Sequence, residues 1–426
     1  MTTTRSSELY RRALELLPGG VNSPVRAMRA IGRDPIFVAA GAGATIRDVD
    51  GNEYVDWVGS WGPLILGHAH PAVTAAIAAT AARGTTFGAP TEGEVALAAE
   101  VCERIPSVQM LRMTSSGTEA TMSAIRLARA HTGREAVLKF AGAYHGHVDG
   151  LLAQAGSGLA TQSIPASPGV PEAAAAATVI VPWNDSEAVV AASERHDLAA
   201  ILAEPVPANM GVVPPRDGFL ELLRERATRT GALLVFDEVI TGFRVARGGA
   251  QERYRVTPDL TILGKIIGGG LPAAAYGGPR TLMKRIAPAG DVYQAGTLSG
   301  NPLAVAAALA TLARLDSSAY ERLDVVTETL AGGLRAAAEA AGCAVQVQAL
   351  PGLLTVFFSP VPVRDFAGAV VCDQGAYGAW CRRLLARGVY PPPSQFEAWF
   401  PSLAHTDEQV ERTIEAARGA FGELVR

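Results

Sequence analysis

Apolar residues recur along this chain at changing intervals, and each change marks a shift in the structure expected. Positions 8–17 repeat at helical spacing and stop at Pro18, Gly19 and Gly20, which predicts a short opening helix. In ATIRDVDGNEYVDWV, two runs of strand character flank Asp50-Gly51, a hairpin signal that predicts a small β-containing N-terminal unit. From about His70 the rhythm becomes short runs of strand character separated by amphipathic stretches: VQMLRM, AVLKF, TVIVP, LAAILAE and ALLVFDE. Thr91 and Glu94 stand at capping-box spacing ahead of a helix from Glu92. A helix within 117–132 ends at Gly133, and another around 218–230 ends at Gly231. This alternation predicts an α/β architecture, a mostly parallel sheet covered on both faces with ligands at the carboxyl ends of its strands. Beyond about Thr311 come helical periodicity over 318–341, the runs AVQVQAL and LLTVFFS, a helix around 375–387 and a last helix after Thr406. They predict an α+β C-terminal unit. The expected divisions are an N-terminal segment over 1–69, a large unit over 70–310 and a C-terminal unit over 311–426.

Composition narrows the function classes. Of 426 residues, 49% are hydrophobic and 18% charged, which describes a compact protein rather than a disordered one. A net charge of -4 gives no general attraction to nucleic acid or acidic membranes. The first twenty residues lack the apolar core of a leader, and no apolar run is long enough to cross a bilayer, so a cytoplasmic location is expected. Cys102, Cys343, Cys372 and Cys381 show neither CxxC pairs nor zinc spacing and read as free thiols. Lysine is scarce. Only Lys139, Lys265 and Lys284 could supply an amine, since the other basic residues are arginines.

Lys265 lies in TILGKIIGGG, between the apolar run 260–263 and three glycines. A P-loop would need glycine at 259 and serine or threonine at 266, where Asp259 and Ile266 stand. An amine held in an apolar pocket, desolvated and nucleophilic, fits better, with a snorkelling strand-end lysine as the alternative. In LLVFDEV, four apolar residues run into Asp237 and Glu238, placing carboxylates at a strand end. An aspartate and a lysine at neighbouring strand ends meet the needs of a pyridoxal phosphate site, the lysine forming an imine and the aspartate keeping the pyridine nitrogen protonated. An ordinary ion pair or a magnesium-binding acid is the alternative. In TSSGTEATMSAIRLARA, Ser116, Gly117 and Thr118 precede an amphipathic helix and offer hydroxyls and unpaired amides to a phosphate, or else a plain cap. Tyr144 and His145 in AGAYHGHVDG could each stack on a flat ring. His145 and His147 lack a third ligand nearby and an HExxH pattern, so no metal is expected.

LLVFDEVITGFR followed by PDLTILGKIIGGGLPAAAYGG resembles the signature of class III (subgroup II) pyridoxal-phosphate aminotransferases, with Asp237 and Lys265 in the aspartate and lysine positions. GGVNSPVRA, VDWVGSWGPLILGHAHP, YHGHVDGLLAQAGSG, AGTLSGNPLA and PSQFEAWFPSLAHT are similar to the aminomutase branch of that family, and the likeness runs from about residue 8 to the last helix. The resemblance implies fold type I: a large domain whose mostly parallel sheet is flanked by helices, plus a smaller α+β domain formed from N- and C-terminal segments. It implies pyridoxal 5'-phosphate, with a pyridoxamine 5'-phosphate form in the cycle, and a homodimer with shared active sites. Gly117, Thr118 and, from a second copy, Thr297 would hold the phosphate. Tyr144 would stack on the ring, Asn209 would lie near its phenolic oxygen, and Glu204 would support it from beneath. Substrate contacts implied are Ser23, Arg26, Trp61, Ser157 on a closing segment around 150–170, and Glu397 near the amino group. The implied reaction is amino transfer within glutamate 1-semialdehyde to give 5-aminolevulinate. A transaminase acting on a β- or ω-amino acid with an external keto acid is the alternative. Ala141 and Trp399 depart from the family pattern, and Trp399, two residues from Glu397, is expected to narrow the substrate pocket.

Overall fold

The structure, a computed structural model, describes residues 3–152 and 167–425. The opening helix spans Thr4–Leu16 and gives way to extended backbone at Leu17. Proline at 18 explains the stop, because it lacks an N–H and pushes the preceding residue out of helical geometry. β1 (Val38–Ala42), β2 (Thr45–Asp48) and β3 (Glu53–Asp56) follow as an antiparallel meander. The Asp50-Gly51 turn forms as its sequence predicts, with Asp48 Oδ1 accepting from the N–H groups of Asp50 and Asn52 at 3.0 and 2.8 Å.

The central sheet contains β4 (Met110–Thr114), β5 (Ala136–Phe140), β6 (Thr178–Val181), β7 (Leu198–Ala203), β8 (Leu233–Asp237), β9 (Leu260–Leu263) and β10 (Ala274–Gly278). Its order is β4-β10-β9-β8-β7-β5-β6. All neighbours run parallel except the two pairs made by β10. β10 has no counterpart in the strand-like runs of the sequence, because AAYGG has low strand propensity and forms only between two partners that bury it. β7 is buried at every position, so its run LAAILA shows no alternation. The helix Gly117–Thr132 lays Ala120, Ala124, Leu127 and Ala128 into the core beneath the sheet, at the i, i+4, i+7, i+8 spacing of one face. A capping box between Ser116 and Glu119 starts it, and Gly133 ends it in left-handed geometry.

β11 (Gln346–Leu350) and β12 (Leu353–Phe357) make a hairpin, and β13 (Val389–Tyr390) pairs in parallel with β3. Both ends of the chain therefore contribute to one sheet. A single core joins Tyr54 and Trp57 to Leu330, Trp380, Trp399 and Phe421. Trp399 is fully buried there, its ring 6.1 Å from that of Trp57 and 5.8 Å from that of Trp380. Its backbone N–H and C=O both bond Leu354. The expectation that Trp399 narrows the substrate pocket is corrected: its large apolar ring is packed among other aromatics instead.

Candidate active site

Because β8 and β9 are adjacent and parallel, the residues just past their ends converge. Asp237 closes β8, and Lys265 opens the tight turn Lys265–Gly268 after β9. Both line a cavity of about 210 Å³ together with Gly117, Thr118, Thr121, Tyr144, His145, Gly146, Glu204, Asn209, Val239 and Ile240. A roomier hollow of about 670 Å³ beside His68 and His70 contains no lysine. Volume alone would have pointed to the wrong place.

Each charged group in the cavity has a defined setting. Asp237 Oδ2 pairs with His145 Nδ1 at 2.8 Å, and Oδ1 accepts from the Val239 N–H at 3.1 Å, all within the buried interior. Glu238 serves a different purpose. It accepts from Thr241 Oγ1, the Ala250 N–H and Gln251 Nε2 at 2.9, 2.6 and 3.0 Å, anchoring the start of the helix Gly249–Tyr254. Glu204 Oε1 accepts from the Tyr144 N–H at 2.8 Å, and Oε2 from Asn209 Nδ2 at 2.8 Å. Burial pushes the Glu204 carboxyl up, against the pull of His145. Lys265 is partly exposed to the cavity, yet desolvation pushes its amine below the ordinary lysine range despite the attraction of Asp237, Glu204 and Glu397. Its φ of 51° is left-handed, a conformation that non-glycine residues adopt rarely and most often at working sites. The other lysines are differently placed. Lys139 is fully buried, pushed down to about 8 by burial, and donates to the carbonyls of Ala143 and Leu151 at 3.2 and 2.9 Å. Lys284 is exposed.

The expected phosphate end is the start of the helix Gly117–Thr132, whose first N–H groups lack intrahelical partners. Gly146 brings the Tyr144–His145 loop against it: a Cβ there would lie 2.6 Å from Thr118 Oγ1. Ser116 is exposed and outside the cavity lining, and its Oγ accepts from the Glu119 N–H at 3.2 Å. The hydroxyl oxygen caps the helix, the alternative its sequence position left open. Among the described residues, Thr121 Oγ1 and His145 Nε2 are buried without a partner, and both residues line the cavity. Polar groups left open in this way suit a polar ligand. Thr121 was missed from the sequence, although it lies four residues after Gly117 and so on the same helix face.

The residues expected to meet the substrate are more scattered. Glu397 is buried; burial raises the Tyr144 phenol, the charges of Asp237 and Glu397 add to that rise, and Glu397 favours the charged form of Lys265. Trp61 is half-buried on the turn Gly59–Trp61 with φ 67°, next to Gly62, which packs on the Lys265 stem. Ser23 lines a separate hollow with Pro24, Ala27 and Arg29, and Arg26 is exposed beside it. Thr297 is exposed, between Tyr293 and Leu298, which are 72% and 51% exposed. Ser157, with the rest of 153–166, lies outside the described residues.

Comparison with known proteins places this geometry. The family described as aminotransferase class-III matches residues 28–420. The chain is 56% identical over 99% of its length to a protein named glutamate-1-semialdehyde 2,1-aminomutase 2 from Brevibacillus brevis, covering 99% of that protein. It is 57% identical over 98% of its length to glutamate-1-semialdehyde 2,1-aminomutase from Sorangium cellulosum, covering 96% of it. Among solved structures, an omega-transaminase from Sphaerobacter thermophilus superposes with a TM-score of 0.92 at 34% identity, covering both chains fully. A glutamate-1-semialdehyde-aminomutase from Pseudomonas aeruginosa in complex with PMP has a TM-score of 0.87 at 30% identity, over 99% of this chain and 94% of that one.

Proposed function

The chain belongs to the class-III aminotransferase family, and from that premise we propose that it converts glutamate 1-semialdehyde into 5-aminolevulinate by moving an amino group within one substrate. It is an aminomutase using pyridoxal 5'-phosphate. The observation that carries this reading is the meeting of Asp237 and Lys265 in one cavity, in a chain so similar to aminomutases along its full length.

The bound cofactor, in its pyridoxal and pyridoxamine forms, supplies an electron-accepting ring. Gly117 and Thr118 would hold its phosphate at the helix N-terminus, joined by Thr297 from a second copy of this chain. Tyr144 would stack on the ring, Asn209 would lie near its phenolic oxygen, and Glu204, already bonded to Asn209, would support it from beneath. Asp237, oriented by His145, would face the ring nitrogen and keep it protonated. Lys265 moves the proton. Its Nζ, held towards the neutral form by burial, accepts a proton from the carbon that bears the substrate amine and in turn delivers one to the former aldehyde carbon. Arg26 grips the substrate carboxylate with two hydrogen bonds, Ser23 and Trp61 flank it, and Glu397 meets the amino group.

A homodimer with shared sites follows from the role given to Thr297. The exposed apolar residues Phe87, Val95, Tyr293 and Leu298 support it. We also infer a cytoplasmic enzyme divided at about 69 and 310; among the described residues no helix is long and apolar enough to cross a membrane. A second reading, a transaminase with an external keto-acid acceptor, is favoured by the likeness to the omega-transaminase. One assay separates them. Enzyme loaded with pyridoxamine phosphate and given the semialdehyde alone should release 5-aminolevulinate, whereas strict dependence on an added keto acid would overturn the first reading.

A further inference from the structure

Arg244 sits one layer behind Lys265 and is 1% exposed. Among the described residues no carboxylate forms an ion pair with it, although a buried guanidinium is ordinarily matched by one. Its donors go to backbone carbonyls of three separate segments: Gly62, Gly352 at 3.1 Å and Pro401 at 3.1 Å. Its Nε has no partner, and its guanidinium carbon lies 5.2 Å from the Phe400 ring centroid. Gly62 is the point where this cluster reaches the site. A Cβ built on it would lie 2.8 Å from Phe400 Cε1 and 3.2 Å from Lys265 Cδ, so ring and lysine stem close on the glycine from which a side chain is missing.

We propose that Arg244 is a positioning residue of this site, whose fork ties Gly62 and Phe400 into a wall that holds the Lys265 side chain on a fixed line into the cavity. An arginine suits the task because its planar donors reach several carbonyls at once, which a lysine cannot copy. The wall joins the turn bearing Trp61 to the segment that follows Glu397, so the amine is held in register with the substrate end. Burial first, and the charge of Arg244 after it, oppose protonation of Lys265, where Asp237, Glu204 and Glu397 favour it.

The inference rests on Lys265 being the reacting amine. That premise is tested separately: if Lys265→Ala still turns over the semialdehyde, the functional reading fails, while the labelling below still decides the role of Arg244. Enzyme in its pyridoxamine-phosphate form would be labelled with trace acetic anhydride across pH and mapped by peptide, with exposed Lys284 as internal reference. In Arg244→Gln the midpoint for Lys265 labelling should rise, the direction expected when a nearby cation is removed. kcat should fall by about tenfold or more with KM little changed, as for a misplaced reacting group. Arg244→Lys should restore the midpoint, since charge is kept, but not kcat, since the fork is lost. Phe400→Leu, which weakens the wall without touching charge, should lower kcat and leave the midpoint alone; it carries the test if Arg244→Gln does not fold. A folded Arg244→Gln with wild-type kcat and midpoint overturns the proposal, as does wild-type kcat in Phe400→Leu. Loss of thermal stability with kcat and KM moving together and an unmoved midpoint also overturns it, because that outcome describes a merely structural residue.

Discussion

At the cofactor end of the cavity, polar groups come from strand ends and one helix start, and the carboxylates among them are fixed by short bonds to neighbours. Asp237 is held by His145 and the Val239 N–H, and Glu204 by Tyr144 and Asn209. At the proposed substrate end, Ser23 precedes and Arg26 lies within the tight turn Pro24–Ala27, and Trp61 ends another. Ser23 and Arg26 lie outside the cofactor cavity. The difference teaches where each kind of precision is needed. A prosthetic group rewards a preformed cradle, and the sheet provides one because parallel strands end together. A small substrate that enters and leaves can be met by turns, which hold their shape through bonds set behind them.

The comparison can be broken most severely at its centre. Lys265→Ala should lower turnover of the semialdehyde by about 10³-fold, ~4 kcal/mol of barrier, with the protein still folded and still binding cofactor phosphate. A comparable rate in that variant would remove the cofactor end from the chemistry altogether.

Acid should separate the halves next. His405 lies behind the turn bearing Trp61, with Nδ1 accepting from the Ser402 N–H and Nε2 donating to the Asp56 carbonyl at 3.1 Å. Asp56 in turn accepts from the Val58 and Gly59 N–H groups and pairs with His68. Burial depresses the His405 imidazole from 6.5 to about 4. Unfolded chains take up that proton near 6.5 and folded ones resist it, so the unfolded state binds more protons in between. Stability is then fully present above 6.5 and declines as pH falls towards about 4, by on the order of 3 kcal/mol. Urea unfolding at stepped pH should show that slope in the wild type and a flatter one in His405→Gln.

Smaller effects sharpen the contrast. Arg26→Ala should raise KM for the semialdehyde about 30-fold, ~2 kcal/mol, with kcat nearly kept, because a charge-assisted grip on a spectator carboxylate binds ground and transition states alike. Steady-state kinetics checks it, and an unchanged KM would leave the substrate end without its anchor. Ser116→Ala should cost about 1 kcal/mol of stability in thermal unfolding and leave cofactor affinity alone, since the hydroxyl caps the helix. A marked loss of affinity would return Ser116 to the phosphate.

Much of the cofactor end was legible because its signals are local. An apolar run broken by Asp237 and another broken by Lys265 announce strand ends, and Ser-Gly-Thr ahead of an amphipathic run announces a helix start. Arg26 and Trp61, by contrast, would pass for a solvated loop residue and a core aromatic without the family resemblance. Trp399 shows the opposite error. Nearness in sequence to Glu397 suggested the pocket, while burial among aromatics sends its ring into the core.

By itself, the sequence determined the alternation of strands and helices, the caps that start and stop helices, and the few side chains able to do amine and carboxylate chemistry. These depend on residues within a turn or two of each other, where local sterics and hydrogen bonding decide. Tertiary structure alone decided that β10 inserts between β4 and β9, that Asp237 faces the cavity while Glu238 turns to a helix start, and that Arg244 reaches carbonyls 108 to 182 residues away. Such contacts draw their energy from burial and pairing between distant segments, and no local pattern encodes which distant segment will arrive.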